Sequence, residues 1–271
     1  MILARFFLVF LLVSLVPGLP ALADGPDTLA DGGQARVTAV VDGDTVVLND
    51  GREVRMVGIQ APKLPLGRPN FPTWPLADEA KAALERMVLG RDVNVHLAPT
   101  PQDRHGRVLA HLTRTGDGLW LQGELLKQGL ARVYTFPDNR VLAPELLGFE
   151  RQARKDAIGI WALSYYDLRS AENVSRDIGT FQIVEGVVWD TAKVKKTIYL
   201  NFGADWRSDF TIKVKARNDP IFRDAGIDLL ALKGKRVRVR GWVKSKNGPL
   251  IELDHPERLE RPGDKNTGEI R

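Results

Sequence analysis
The chain has 271 residues, 44% hydrophobic and 27% charged, with a formal net charge of +5 and no cysteine. That balance fits one large or two modest globular domains and excludes a disordered, collagenous or multi-span membrane chain. Without thiols there is no disulfide framework, thiolate zinc site, iron–sulfur cluster or cysteine nucleophile, so chemistry falls to carboxylates, imidazole, arginine, lysine and hydroxyls.

The first segment has the layout of a targeting signal. Arg5 precedes the apolar run Phe6 to Val16; Pro17, Gly18 and Pro20 break that run, and Ala21-Leu22-Ala23 supplies small residues for cleavage. The run is shorter than the ~20 residues needed to span a bilayer. The expectation is a signal peptide over 1–23, cleaved after Ala23, and a secreted or periplasmic protein without stable membrane insertion. Residues 24–34 are polar and glycine-rich and are expected to form a disordered leader.

A first domain is expected over 35–163. ARVTAVV, DGDT and VVLNDGREVRMVGI read as short strands joined by tight turns, with Asn49-Asp50-Gly51 as a hairpin signal. Residues 63–75 hold Pro65, Pro69, Pro72 and Pro75 and predict an irregular loop. Asp78 to Leu89 has helical spacing, with Gly90 as its stop. Asp92 to Leu97 and Val108 to Thr113 read as strands, Trp120 to Gln128 and Pro144 to Lys155 as helices.

A polar linker is expected over 164–178, then a second strand-rich domain over 179–260 and a tail over 261–271. QIVEGVVW, KTIYLNF and DFTIKVK predict three strands, Pro220 to Leu232 a helix weakened by Gly226, and RVRVRGWV and PLIELD two more strands. Three strands, a helix and two strands is the order of a small five-stranded OB barrel. Charge divides at the same boundary: residues 24–177 carry 19 basic and 21 acidic side chains, residues 178–271 carry 19 and 13.

Two regions of the first domain invite chemistry. Asp42-Gly43-Asp44-Thr45 follows an apolar run and reads either as a simple turn or as a seat for a hard divalent cation. Arg55 lies inside an apolar strand, and Arg107 in a charged turn, either facing water or converging on a phosphate. The four histidines show no HxH or HExxH spacing, which argues against zinc.

Taken together, VVDGDTVVL, VRMVGIQAP, DRHGRVLAHL, LLKQGLARVY and ERQARKDAIGIW resemble the thermonuclease (staphylococcal nuclease-like) family in order and spacing, over about Arg36 to Trp161. The resemblance implies a mainly β fold with helices (α+β): an OB-type five-stranded barrel with three helices, here followed by a second, smaller OB-like barrel. It also implies an ancestral Ca²⁺-dependent phosphodiesterase acting on DNA and RNA. By position, Asp44 matches the metal-binding aspartate, Arg55 and Arg107 the two catalytic arginines, and Tyr134, more loosely, a nucleotide-contacting tyrosine.

Two positions depart from that family pattern. Gln60 stands where a second metal carboxylate belongs, and Lys63 where the catalytic glutamate belongs. An amide is a weaker calcium ligand than a carboxylate, and a protonated lysine is a poor base, so Ca²⁺ binding is expected to be weak. Asp42, Asp78 or Glu79 would be the alternative base. In the second domain Arg236, Arg238 and Arg240 alternate with valines on one face of a strand, and Trp206 sits in a polar loop. These read as a half-buried strand with a solvated cationic face, or as a groove for single-stranded DNA or RNA. The reading is an exported thermonuclease-like protein that binds nucleic acid or a phosphate polyanion with weak, atypical or lost phosphodiesterase activity. Its alternatives are an active nuclease with a rewired site and an envelope protein-interaction module.

Overall fold
The computed structural model describes residues 25–263; the expected signal peptide (1–23) and residues 264–271 of the expected tail lie outside them. The first domain runs β1 (Ala30–Asp42), β2 (Thr45–Leu48), β3 (Glu53–Met56), β4 (Gly58–Gln60), α1 (Ala77–Val88), β5 (Asp92–Gln102), β6 (Val108–Arg114), α2 (Leu121–Lys127), β7 (Arg132–Tyr134) and α3 (Ala143–Lys155). Five strands close a barrel in the order β1-β2-β3-β6-β5, with β3 and β6 parallel. β4 leaves the barrel to pair with β7.

Alternation fills the barrel. Val37, Val46, Leu48, Val54, Met56, Val93, Val95 and Leu112 are buried inside it. α1 closes one end because Ala80, Ala83, Leu84, Met87 and Val88 share one stripe, with Asp78 and Glu79 complementing the dipole at its first turn. The expected disordered leader is overturned for residues 30–34. They are part of β1, where Ala30 pairs with Leu97 and Gln34 with Asn94, because the long β5 offers an edge that satisfies their backbone groups.

The second domain contains β8 (Arg169–Ser170), β9 (Phe181–Val187), β10 (Asp190–Val194), β11 (Thr197–Asn201), β12 (Thr211–Lys215), α4 (Asp219–Asp224), β13 (Arg236–Trp242), β14 (Lys244–Ser245), β15 (Pro249–Leu253) and β16 (Leu259–Glu260). These strands form two sheets, β10-β11-β12-β15-β14 and β16-β13-β9-β8, and the chain passes from one sheet to the other between β9 and β10 and between β13 and β14. The pairings β9–β13, β10–β11–β12 and β12–β15–β14, with β12 and β15 parallel, reproduce the connectivity of the first barrel. The expected helix over 220–232 is shorter: α4 ends before Gly226, whose φ of +72° reverses the chain, and a 3-10 turn at Leu230–Leu232 follows.

The expected polar linker over 164–178 is ordered by local structure. Residues 164–178 hold two 3-10 turns and β8, which pairs in parallel with β9. Tyr166 donates from its hydroxyl to the Pro75 carbonyl at 2.8 Å, and Arg169 pairs with Asp177 at 3.0 Å. The two barrels dock directly. Arg240, 1% exposed, lies between Glu150 of α3 at 2.8 Å and Glu260 of β16 at 2.5 Å, and Arg154 of α3 reaches Glu260 at 2.7 Å. Thr135 and His255 share a hydrogen bond of 2.8 Å across the same seam.

Candidate active site
The acidic turn lies between β1 and β2, against the first turns of α1. Its glycine is required sterically: a Cβ on Gly43 would stand 2.7 Å from the Cβ atoms of both Ala61 and Ala80. Asp42 accepts the backbone N–H of Asp44 at 3.1 Å, an Asx turn that aims the Asp44 carboxylate inward.

Asp44 is fully buried and surrounded by donors. The N–H of Ala61 reaches Oδ2 at 2.7 Å, and Arg55 Nη1 lies 3.2 Å from Oδ1. Lys63 Nζ donates to both oxygens, at 2.7 and 2.9 Å, and to Asp42 Oδ2 at 3.3 Å. Burial alone would raise the Asp44 pKa, but the charges of Arg55 and Lys63 outweigh it and hold the group at about 2. For Asp42, burial and the adjacent Asp44 charge push the carboxyl up, with Lys63 pulling the other way. The ammonium thus sits between the two carboxylates that a hard cation would need.

Arg55 belongs to this cluster but is spent within it. Nη1 also donates to the carbonyls of Met56 at 2.6 Å and Asp44 at 3.3 Å, and Nη2 to that of Ile59 at 2.7 Å. Its fork therefore braces the step from β3 to β4. Arg107 makes its ion pairs outside the cluster. It lies in the β5–β6 turn and pairs with Asp103 at 2.8 Å and, more distantly, Glu53 at 3.9 Å.

Gln60 is engaged by Arg132. Its Oε1 accepts Nε and Nη2 of Arg132, at 3.0 and 2.7 Å. Arg132 in turn donates to the Phe181 carbonyl at 3.2 Å and lies 4.6 Å over the Phe181 ring. Burial lowers its pKa to about 10. The residues present do not fit a calcium site. The amide is spent on an arginine, a lysine lies between the aspartates, and among the described residues no three His, Asp or Glu side chains converge. Tyr134 is likewise engaged: its hydroxyl accepts Trp242 Nε1 at 3.0 Å, and its ring packs 4.8 Å from that of Phe181. The second barrel covers this side of the first.

The arginine strand corrects the expectation of a solvated cationic face at Arg238 and Arg240, while Arg236 stays exposed. Arg236 pairs with Glu185 at 3.3 Å, Arg238 with Glu185 at 2.7 Å and Glu260 at 3.5 Å, and Arg240 is buried between the barrels. Acids of neighbouring strands and of α3 neutralise that row. Trp206 is exposed at 49%, in the β11–β12 loop, with the Arg207 guanidinium 4.4 Å over its ring. Arg132 and Glu150 were not singled out from sequence. Glu150 alone left a trace there, as an acid on the apolar stripe of α3 with Leu146, Leu147 and Ala153.

Comparisons place the first barrel among known proteins. The family model described as staphylococcal nuclease homologue matches residues 53–163. A thermonuclease of Staphylococcus intermedius is 30% identical over 148 residues, 51% of this chain and 84% of that protein. A probable staphylococcal-like nuclease of Oryza sativa subsp. japonica is 35% identical over 143 residues, 52% of this chain but 38% of its own length. Protein ParB of Escherichia coli is 32% identical over 160 residues, 54% of this chain and 84% of that protein. With that coverage and the closed barrel that carries it, the chain belongs to the staphylococcal nuclease homologue family.

Proposed function
We propose that this chain is an exported, nucleic-acid-binding member of its family that does not hydrolyse phosphodiesters by a calcium-dependent route. The observation that carries this reading is Lys63 Nζ, 2.7 Å from Asp44 and 3.3 Å from Asp42. A tethered ammonium supplies one positive charge where an ion would supply two, and it has no open coordination position for water or phosphate, so it cannot generate a nucleophile as a bound metal does. The two family arginines support the same reading, since one is spent on backbone carbonyls and the other on Asp103. Nucleic acid is the ligand class because the relatives named thermonuclease and staphylococcal-like nuclease act on it, and because the second barrel carries the basic excess. Export rests on the layout of residues 1–23.

One observation favours a second reading, a rewired nuclease: Asp42 is a second buried carboxylate beside Asp44, held by Lys63 at only 3.3 Å, and so is placed to act as an alternative base. Incubating the purified protein with single-stranded DNA and RNA in Ca²⁺, Mg²⁺ or EDTA separates the two. Binding without cleavage is expected in all three. Cleavage that depends on metal and is lost in Arg55→Ala/Arg107→Ala would overturn the proposal.

A further inference from the structure
We infer that single-stranded nucleic acid is held on the second barrel, in a groove across the outer face of β10, β11 and β12, and not on the arginine strand. This rests on the nucleic-acid-binding reading above. Alternation sends Ile198, Leu200, Ile212 and Val214 into the core and turns Tyr199, Asn201 and Lys213 outward. The registers align Ala192, Tyr199 and Lys213 in one cross-strand row and Asp190, Asn201 and Thr211 in the next. Two loops wall this face, the β11–β12 loop with Trp206 and the β14–β15 turn with Lys246 and Asn247. Together they enclose about 490 Å³.

The chemistry of the walls selects the ligand. Tyr199 and Trp206 offer ring faces to unpaired bases, and each such stack is sequence-tolerant. Asn201 and Asn247 supply donors and acceptors for base edges. Lys213 is shared with Glu252 at 3.1 Å, whereas Lys246 is exposed and has no ion pair among the described residues, so it is available to a phosphate. The 16 basic against 11 acidic side chains of residues 179–260 favour a polyanion over an uncharged oligosaccharide. The arginine strand lacks these features, because Glu185, Glu150 and Glu260 neutralise it.

The test uses the full chain and a fluorescein-labelled oligo-dT of about 12 nucleotides, within the site size of one OB fold. Fluorescence anisotropy is read against salt, and thermal melting confirms that each variant is folded. Tyr199→Ala and Trp206→Ala should each weaken binding by about fivefold to a hundredfold. Lys246→Glu should weaken it and flatten the salt dependence. Trp189→Ala, which removes an aromatic that is 61% exposed outside the groove, should leave affinity unchanged. If the wild type binds and the groove variants bind equally well, this inference fails while the proposed function stands. If the wild type binds neither oligo-dT nor oligo-rU, the nucleic-acid reading itself fails. Salt-independent binding of a neutral oligosaccharide, lost in Trp206→Ala, would overturn the ligand assigned here.

Discussion

Replacing Lys63 with methionine removes the internal cation and keeps most of the side-chain volume. Asp44, fully buried, would then keep Arg55, the Ala61 N–H and the Thr45 hydroxyl, and Asp42 would lose its ammonium partner. Removing one partner of a buried ion pair costs about 3–5 kcal/mol. Lys63 is 19% exposed, so screening places the expected loss lower, at about 2–3 kcal/mol. The pH dependence carries the sharper signature. In the wild type the folded pKa of Asp44 is about 2, below its ordinary 3.8. A depressed carboxylate gives stability, here on the order of 2 kcal/mol, that is complete above the unfolded pKa and lost as pH falls through the folded one. In Lys63→Met the Asp44 pKa rises, so that contribution shrinks, and Asp42, already raised, rises further. Raised carboxylates cost stability above their folded pKa, and protonation relieves the cost. The deficit of the variant should therefore be greatest near pH 7 and shrink towards about pH 4 in urea unfolding. The variant should also gain about 1 kcal/mol from Ca²⁺ at roughly five times its Kd. A deficit that does not change with pH, or a variant as stable as the wild type at pH 7, would refute the assignment of Lys63 as the cation of this site.

Four further outcomes follow from the packing of the first barrel and of the seam between the barrels. Gly43→Ala drives a Cβ to 2.7 Å from Ala61 and Ala80 and should cost about 1–3 kcal/mol in thermal unfolding. Glu150→Gln leaves Arg240 with a weakened partner and should cost about 3–5 kcal/mol, with faster proteolysis in residues 164–178 as the barrels part. Acid should loosen the same seam. Burial would raise the Glu260 pKa, but Arg240, Arg154 and Arg238 hold it at about 2, so its contribution is complete above about pH 4.5 and is lost as pH falls towards 2. Arg132→Met strips the partner from Gln60 Oε1 and should cost about 1–3 kcal/mol.

Both barrels were legible in the sequence because their strands alternate and their turns carry strong signals. Asn49-Asp50-Gly51 joins β2 to β3, and α1 was placed within one residue at each end. The order of the second barrel, three strands, a helix and two strands, survived although the helix stops at Gly226. Contacts between barrels were illegible. Arg236, Arg238 and Arg240 share one face of β13, and alternation alone does not reveal that α3 covers the last of them. At the acidic turn, Gln60 and Lys63 were marked as departures from the family pattern. That Lys63 bridges Asp42 and Asp44, and that Gln60 turns to Arg132, depends on contacts 19 to 72 residues apart in the chain. No local pattern encodes such contacts.

Titrating Ca²⁺ into the wild-type protein by calorimetry tests the central claim most directly. With Lys63 bridging Asp42 and Asp44, no saturable heat is expected up to millimolar ion, and none should be lost on Asp44→Asn. Saturable, stoichiometric Ca²⁺ binding that Asp44→Asn abolishes would contradict the account.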